Sequence, residues 1–279
     1  MSAKVVGTKP LAAAGPPDRR SAADGGRVEP VFETRLANCS ADLLAAARLR
    51  YEVFVEELGG DGPLVDHAAR LEQDRFDPAF DHLLLIDRNN EPDAQVVGLY
   101  RLLSAEKAAQ VGGFYSEQEY DLTPLHQSGR RLLELGRSCL HPSYRGGMAM
   151  FHLWNALADY VAQSQTEILF GVASFLGTDL SAVAQQLSHL HYHHLAPPGL
   201  RPRARAYQRL DLVAEDQVDR RAAMVAMPAL IKGYLRLGGQ IGDGAYIDKA
   251  FNTIDICVVM DMAKINLKAA SIYQKSERK

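Results

Sequence analysis

The sequence contains little cysteine, no long apolar run and no excess of positive charge. Its 279 residues include three cysteines, Cys39, Cys139 and Cys257, which are odd in number and far apart. Cys139 and Cys257 lie in apolar, strand-like runs, so we predict reduced thiols rather than a disulfide framework or a zinc site. No apolar run approaches the ~18 residues of a membrane span. The net charge of -3 argues against a general nucleic-acid binder, which is usually strongly basic.

The composition is that of an ordinary globular protein, with 47% hydrophobic and 23% charged residues. Residues 1–29 are rich in Ala, Gly, Pro and charge and lack periodicity, which predicts a disordered leader and makes a poor signal peptide. The segment 30–262 contains no repeat and no linker, so we predict one α/β domain with a mixed sheet. Residues 263–279 form a basic tail with five cationic side chains. Its composition fits both contact with anionic lipid and a frayed terminus.

Apolar periodicity predicts alternating helices and strands across the domain. Leu44, Ala47, Tyr51, Phe54 and Leu58 recur at helical spacing, so a helix capped by Ser40 or Asp42 is expected to end at Gly59-Gly60. A polar loop follows over 61–80. Further strands are predicted over 31–36, 82–87, 95–103, 167–175 and 253–262, and further helices over 148–162, from 179 onward, and over 228–237.

The stretch from Arg131 to Gly147, RLLELGRSCLHPSYRGG, combines a buried strand with charge. Glu134 lies inside the apolar run, and Arg137 follows at an odd spacing that places the two on opposite faces of a regular strand. An exposed ion pair would explain them, but the apolar flanks indicate buried charges that need partners. A Tyr144-to-Gly147 turn then precedes a helix, an arrangement in which backbone N–H groups face a phosphate.

Four motifs occur in a fixed order: Arg50-Tyr-Glu-Val-Phe54, E-x-D-x-F-D over 72–77, G-L-Y-R-L-L over 98–103, and E-L-G-R over 134–137. Each motif alone is weak, because acidic loops and surface arginines are common. Together they resemble the acyl-homoserine-lactone synthases of the GNAT acyltransferase superfamily. The chain looks closer still to the ornithine lipid-forming N-acyltransferases, which move a 3-hydroxyacyl chain from acyl carrier protein to the α-amine of ornithine. That closer match rests on LELGRSCLHPSYRGG, ILFGVASFLGTD, PALIKGYLRLGG with IGDGAYID, and FNTIDICVVMD.

The resemblance spans roughly 48–261 and implies a GNAT-like fold with no bound cofactor. It implies that the catalytic side chains are Glu134, Arg137 and Arg101. It also implies that the substrate-binding side chains are Arg50, Phe54, Asp74 and Asp77, and that the arginines and aspartates of both sets form a charged cluster. Its acidic members suit the cationic amines of ornithine, and an arginine suits the carboxylate. We expect Glu134 to act as general base, directly or through water, with its pKa raised by burial from ~4.3. Backbone N–H groups near Glu134–Ser138, or at a bulge, are expected to polarise the thioester carbonyl.

The turn before the predicted helix departs from the common GNAT phosphate loop, Gln/Arg-x-x-Gly-x-Gly/Ala. It keeps the last two positions but has Tyr144 at the first. Free coenzyme A is therefore less clearly indicated, and a carrier-protein phosphopantetheine arm fits at least as well. The residues expected to hold this arm are Tyr144, Arg145, Gly146, Gly147 and Ala149.

A basic loop and a histidine group allow two interpretations each. No acid lies between Leu187 and Arg209, so the loop is either solvated or a docking patch for acidic acyl carrier protein; the candidate docking residues are Arg201, Arg203, Arg205 and Arg209. The histidines at 189, 191, 193 and 194 lack a nearby carboxylate or cysteine, which favours a surface helix end over a metal site. We expect no metal.

Several functions remain open at this level. The expected acceptor is a small cationic amino acid such as ornithine, and lysine and the uncharged glutamine and glycine are alternatives. A homoserine-lactone synthase using S-adenosylmethionine, a coenzyme A-dependent acetyltransferase and a non-catalytic carrier-protein-binding module are competing interpretations. The expected location is the cytoplasm, with the basic tail offering contact at the inner membrane face.

Overall fold

The computed structural model describes residues 29–265. The predicted leader before residue 29 and the tail beyond residue 265 lie outside this range. The strands are β1 (Phe32–Leu36), β2 (Asp81–Asp87), β3 (Val96–Ser104), β4 (Tyr120–Asp121), β5 (Leu132–Leu140), β6 (Ile168–Leu176), β7 (Arg203–Ala204), β8 (Gln240–Ile241), β9 (Tyr246–Asp248) and β10 (Thr253–Asp261). The helices are α1 (Ser40–Arg50), α2 (Ala105–Gln110), α3 (Thr123–Gln127), α4 (Ala149–Gln163), α5 (Ala184–His194), α6 (Arg220–Ala226) and α7 (Ala229–Arg236).

The main sheet is mixed, as the sequence predicts. Its strands run in the order β1-β2-β3-β5-β6-β10-β8, and β9 pairs with β10. β5 and β6 are parallel, while the other neighbours are antiparallel. The short strands β4 and β7 form a separate antiparallel pair. Within 29–265, no helix has the length and apolarity required to cross a membrane.

Helices and loops cover both faces of the sheet. One face packs apolar side chains such as Leu133, Leu135 and Leu169 against α4 and α7. The other face packs Leu103, Phe170 and their neighbours against the loops that precede β2 and follow β3, while α1 covers its β2 and β3 end. Alternate residues of each strand face opposite sides, so the apolar runs noted in the sequence are buried from both directions.

The first helix differs from the prediction at its N-cap, whereas the helical segment ends just before Gly59-Gly60, as predicted. Neither Ser40 nor Asp42 caps it: Cys39 occupies the N-cap position without a side-chain hydrogen bond. The Asp42 carboxylate instead accepts hydrogen bonds from Arg35, at 2.6 and 2.8 Å, and from the Asn38 amide. After Arg50, α1 widens into a π-helix over Tyr51–Glu57, a departure from α-helical geometry that is frequent at functional sites.

β5 and β6 pair over only three residues, from Leu132–Ile168 to Glu134–Phe170, and then separate. Gly171 lies at the point of separation, where a Cβ atom would come within 2.2 Å of the Leu135 carbonyl oxygen. A side chain is therefore excluded there, and the divergence of the two strands opens a gap in the middle of the sheet.

A β-bulge interrupts β5 directly after this point. The pairing with β3 shifts between Leu99 and Arg101, and Arg137 takes a left-handed conformation with φ of 47°, which is uncommon for a residue other than glycine. The prediction that Glu134 and Arg137 lie on opposite faces is wrong, because the extra residue breaks the alternation. The Arg137 guanidinium lies over the Tyr115 ring, 5.0 Å from its centroid. The Tyr115 backbone amide donates a hydrogen bond to Glu134, so both charged residues contact Tyr115.

Candidate active site

A cavity of about 230 Å³ occupies the gap between β5 and β6. Its polar lining includes Glu134, Ser174 and Asp255, which share one face of the sheet. The apolar lining of the opposite face comprises Leu135, Leu169, Ala173, Leu230, Tyr234, Val258 and Met260. The cavity therefore connects the two faces of the sheet: one side is apolar, and the other combines the polar groups with aromatic rings such as Phe54, Phe80 and Phe251.

The predicted charged cluster forms beside this cavity. Arg50 pairs with Glu72 and, at 2.5 Å, with Asp77. Arg101 pairs with Asp74 and Asp77, each at 2.7 Å. Arg137 pairs with Glu72 at 3.2 Å and with Asp74 at 3.5 Å. The members are Arg50, Arg101 and Arg137 with Glu72, Asp74 and Asp77, so the formal charges of these side chains cancel. Glu72 was absent from the predicted site, although it belongs to the acidic motif that indicated Asp74 and Asp77.

Pairing with arginine keeps the Glu72 and Asp77 carboxylates of this cluster ionised. Burial would raise the pKa of Glu72, but the Arg137 and Arg50 guanidinium groups hold that pKa below its ordinary value. The pKa of Asp77 is likewise depressed, because Arg50 and Arg101 outweigh the effect of its burial. Pairing of this kind stabilises buried charges that would otherwise be costly. Asp74 and Asp77 therefore have protein partners in place.

Glu134 is fully buried and accepts hydrogen bonds from a neighbouring turn. The amides of Tyr115 and Ser116 donate to its two oxygens at 2.8 and 2.6 Å, and the Ser116 hydroxyl also donates to Oε1. Burial raises the pKa of Glu134 to about 7, although the hydrogen bonds from Ser116 and Tyr115 act in the opposite sense. Within the described part of the chain, Oε2 accepts a hydrogen bond from the Tyr115 amide alone and so keeps a lone pair available for a proton.

The predicted substrate-binding residues occupy different positions relative to the cavity. Phe54 lines it directly, together with Arg137. The Arg137 guanidinium also lies 4.5 Å from the centroid of Phe251, so aromatic rings and ion pairs hold it in place. Arg50 and Arg101 are buried behind Arg137, at 1% and 0% exposure.

The turn before α4 has an exposed backbone. Gly146 has φ of 76°, and a Cβ atom on Gly146 or Gly147 would meet nothing within 4 Å. Side chains anchor its first part, because the Tyr144 hydroxyl donates to Asp87 at 2.8 Å and Arg145 forms an ion pair with Glu57 at 2.5 Å. The open glycines thus lie at the N-terminal end of α4, where Ala149 is the first helical residue.

The basic loop contains more intramolecular partners than its sequence indicates. Arg203 pairs with Asp243 at 2.8 Å, and Arg209 pairs with Asp211 at 2.9 Å. Arg201 and Arg205 donate to backbone carbonyl groups at 2.6 and 2.7 Å. The loop's positive charge is therefore partly neutralised by acids that come from outside the loop.

The histidine group lies at the end of α5, as predicted, but one of its members is buried. His189 is buried, at 6% exposure, and its ring centroid lies 5.0 Å from that of His193 and 5.3 Å from that of His194. Burial lowers the pKa of His194 to about 4, which favours its neutral form. His191, His193 and His194 are partly exposed, so His189 alone is buried within the group, which helical spacing did not indicate.

A second group of acids, which was not predicted from the sequence, lies in the cavity. Glu119, Asp248 and Asp255 line it and come from three separate segments. Asp255 could have been found from the sequence, because it is an acid within the apolar run of β10, as Glu134 is within that of β5.

Known proteins are similar to this sequence over most of its length. The model of the acetyltransferase (GNAT) domain matches residues 49–155. The L-ornithine N(alpha)-acyltransferase of Rhodobacter capsulatus is 59% identical over 88% of this chain and 95% of its own length. The chain belongs to the L-ornithine N(alpha)-acyltransferase family. A second member, from Brucella abortus, is 41% identical over 87% of this chain and 88% of its own.

Family membership confirms the resemblance inferred from the ordered motifs, and the chain is an acyltransferase with a GNAT-like mixed α/β fold. Among solved structures, FeeM, an N-acyl amino acid synthase from uncultured soil microbes, aligns with a TM-score of 0.44 and 11% identity over 84% of this chain and 92% of its own. Identity at that level carries no information about the substrate of this acyltransferase.

Proposed function

We propose that this acyltransferase moves a 3-hydroxyacyl group from acyl carrier protein to the α-amine of L-ornithine, giving lyso-ornithine lipid. The neutral amine attacks the thioester carbonyl, the C–N bond forms, and the C–S bond of the tetrahedral intermediate breaks. One amine proton leaves through a base, and the phosphopantetheine thiol takes up a proton. The names of the relatives support ornithine as the acceptor.

The observation that carries this proposal is the cavity that joins the two faces of the sheet. An acyl chain requires an apolar channel, which Leu169, Val258 and Met260 offer on one face. An amino acid requires charged partners, which are present on the other face. The reacting carbonyl would then lie between them, in the gap where β5 and β6 separate.

Glu134 is our proposed general base in this gap. Its raised pKa matches a base that operates near neutral pH, and its Oε2 has room for a proton or a bridging water. The bulge at Arg137 and Ser138 leaves backbone groups outside the regular ladder, and we assign these N–H groups to the oxyanion. Arg137 and Arg101 hold the surrounding charged cluster in position, with Arg137 at the cavity wall.

The donor is assigned to the turn before α4. The open backbone of Gly146 and Gly147, followed by the N-terminus of a helix, suits the phosphate of a phosphopantetheine arm. No bound cofactor is needed, because the acyl donor is itself a substrate. The exposed arginines of the basic loop are the proposed docking patch for acyl carrier protein, although Asp211 and Asp243 reduce its charge. Contact with the inner membrane face would involve the tail outside the described residues.

The test is a reaction of the purified protein with 3-hydroxyacyl carrier protein and each candidate amino acid, read by mass spectrometry. We expect N-acyl-ornithine. Product with lysine, glutamine or glycine instead would keep the reaction and move the acceptor. Acetyl transfer from acetyl-coenzyme A, with no product from the carrier protein, would overturn the proposed donor.

A further inference from the structure

Three carboxylates converge at one end of the cavity. Glu119 follows the turn that binds Glu134, Asp248 ends β9, and Asp255 lies in β10. One oxygen from each lies within 4.8 Å of the other two. Glu119 and Asp255 are almost inaccessible, with exposures of 4% and 3%. The sheet brings them together because β9 and β10 are antiparallel neighbours, with Asp248 opposite Thr253.

Within residues 29–265, this group lacks the partners that its burial requires. Oε2 of Glu119 and Oδ1 of Asp255 are buried oxygens without a hydrogen bond, and the Ser174 and Thr253 hydroxyls beside Asp255 bring no positive charge. Asp248 accepts bonds from the Ala250 and Phe251 amides through Oδ1, so backbone contacts hold it in place. A buried polar atom without a partner is costly, and such atoms in native proteins call for an explanation.

The contrast with the arginine cluster shows what is missing. The carboxylates of that cluster each contact a guanidinium group. Burial and the adjacent Asp255 and Asp248 carboxylates raise the pKa of Glu119 well above its ordinary value. Burial also raises the pKa of Asp255 to about 6. The Arg137 guanidinium, whose charge acts on Glu119 and Asp255, is already paired with Glu72 and Asp74.

We propose that Glu119, Asp248 and Asp255 bind the side-chain ammonium group of the amino acid acceptor. An ammonium group has three N–H donors and no acceptor, which suits three converging carboxylate oxygens. Its positive charge would supply the partner that the group lacks. The inference rests on the proposed function and deepens it, because it assigns the part of the cavity that distinguishes ornithine from an uncharged amino acid.

The arrangement also accounts for acylation at the α-amine. Glu119 is separated by a few residues from Tyr115 and Ser116, which bind Glu134, so the two acidic sites are neighbours on one wall. An ammonium group held by the three carboxylates stays protonated and is a poor nucleophile. The α-amine is then the group left to reach Glu134 and the thioester.

The experiment compares L-ornithine with L-norvaline, which has the same carbon chain but no side-chain amine. The variants are Glu119→Gln and Asp255→Asn, with Asp216→Asn as a control because Asp216 is an exposed carboxylate outside the cavity. We expect the wild-type protein to prefer ornithine, and the ratio of kcat/KM for ornithine to that for norvaline to fall roughly 100-fold in either variant. The ratio is independent of the fraction of protein that folds.

Two results would overturn the inference while leaving the proposed function intact. The first is an unchanged ornithine-to-norvaline ratio in both variants. The second is stabilisation of the wild-type protein, but not of Asp255→Asn, by Mg²⁺ or Ca²⁺, together with loss of turnover in a chelator, because the group would then be a metal site.

A binding measurement separates the two proposals. The melting temperatures of the wild-type protein and both variants are recorded with and without L-ornithine and L-norvaline. Stabilisation by ornithine alone, lost in the variants, with no acyl transfer to ornithine would support the carboxylate site and refute the proposed reaction. Acyl transfer to ornithine with an unchanged ornithine-to-norvaline ratio in the variants would support the proposed reaction and refute the carboxylate site.

Discussion

Ser116 donates both its amide N–H and its hydroxyl to the same oxygen, Oε1, of Glu134. The hydroxyl bond favours the ionised carboxylate and so opposes the effect of burial on its pKa. Ser116 lies in the turn that leads to Glu119 and is itself buried. A single side chain therefore tunes the proposed base and fixes the turn that carries one of the cavity acids.

Ser116→Ala should shift the pH profile of activity upward. Loss of the hydroxyl removes a contact that lowers the pKa of Glu134, so the acid limb of kcat/KM should move to higher pH if Glu134 is the base. The measurement is kcat/KM for ornithine from pH 5.5 to pH 9. Ser164→Ala is the control, because that hydroxyl lies outside the cavity, at the end of α4. An unmoved acid limb would remove Glu134 from the base role.

Glu134→Gln should gain stability relative to the wild-type protein as pH rises from about 4.5 to about 7. The folded-state pKa of Glu134 is raised to about 7 from 4.5, so the folded protein binds more protons than the unfolded chain in this window. The free energy of unfolding of the wild-type protein therefore falls as pH rises through this window. The glutamine variant has no carboxyl group at this position and lacks this pH-dependent loss. Loss of hydrogen bonds to the turn adds an offset that does not depend on pH.

The measurement is urea unfolding of both proteins at pH 5 and pH 8. The difference in unfolding free energy, variant minus wild type, should be more positive at pH 8. A difference that is constant, or that becomes more negative, would show that Glu134 has an ordinary or depressed pKa in the folded protein.

Glu72→Gln should destabilise the fold strongly. The substitution removes the charge that partners Arg50 and Arg137 inside the protein, and breaking a buried ion pair costs about 3–5 kcal/mol. Glu56→Gln is the matched control, because Glu56 pairs with Arg70 on the surface and exposed pairs contribute about 0–1 kcal/mol. Chemical unfolding at pH 7 measures both. Equal small effects would mean that the arginine cluster is solvated.

Gly171→Ala should disturb the gap between β5 and β6. The new Cβ atom would lie 2.2 Å from the Leu135 carbonyl oxygen, so one strand must move, at a cost of about 1–3 kcal/mol. Gly199→Ala is the control, because a Cβ atom there meets nothing within 4 Å. Unfolding free energy and acyl transfer should both fall in the first variant only. Retention of both would show that the strands separate further than the structure indicates.

Local patterns in the sequence determined much of this protein. The apolar run with Glu134 is a central strand, and the helix predicted over 148–162 is observed at Ala149–Gln163. Periodicity succeeds at these places because each element buries its own apolar face. The ordered motifs also indicated the family of the chain. They predicted one charged cluster, which the structure shows, of Arg50, Asp74, Asp77, Arg101 and Arg137.

Only the tertiary structure decided which charges meet. The bulge at Arg137 depends on pairing with β3 and is invisible to an alternation rule. Asp243 reaches the basic loop from a distant segment, and Glu119 meets Asp255 at one end of the cavity. These contacts join residues far apart in the chain, and their effects on charge depend on burial that a linear sequence does not display. The sequence alone therefore sufficed for the strands and the family, whereas pairing and desolvation in the folded chain set the electrostatics of the site.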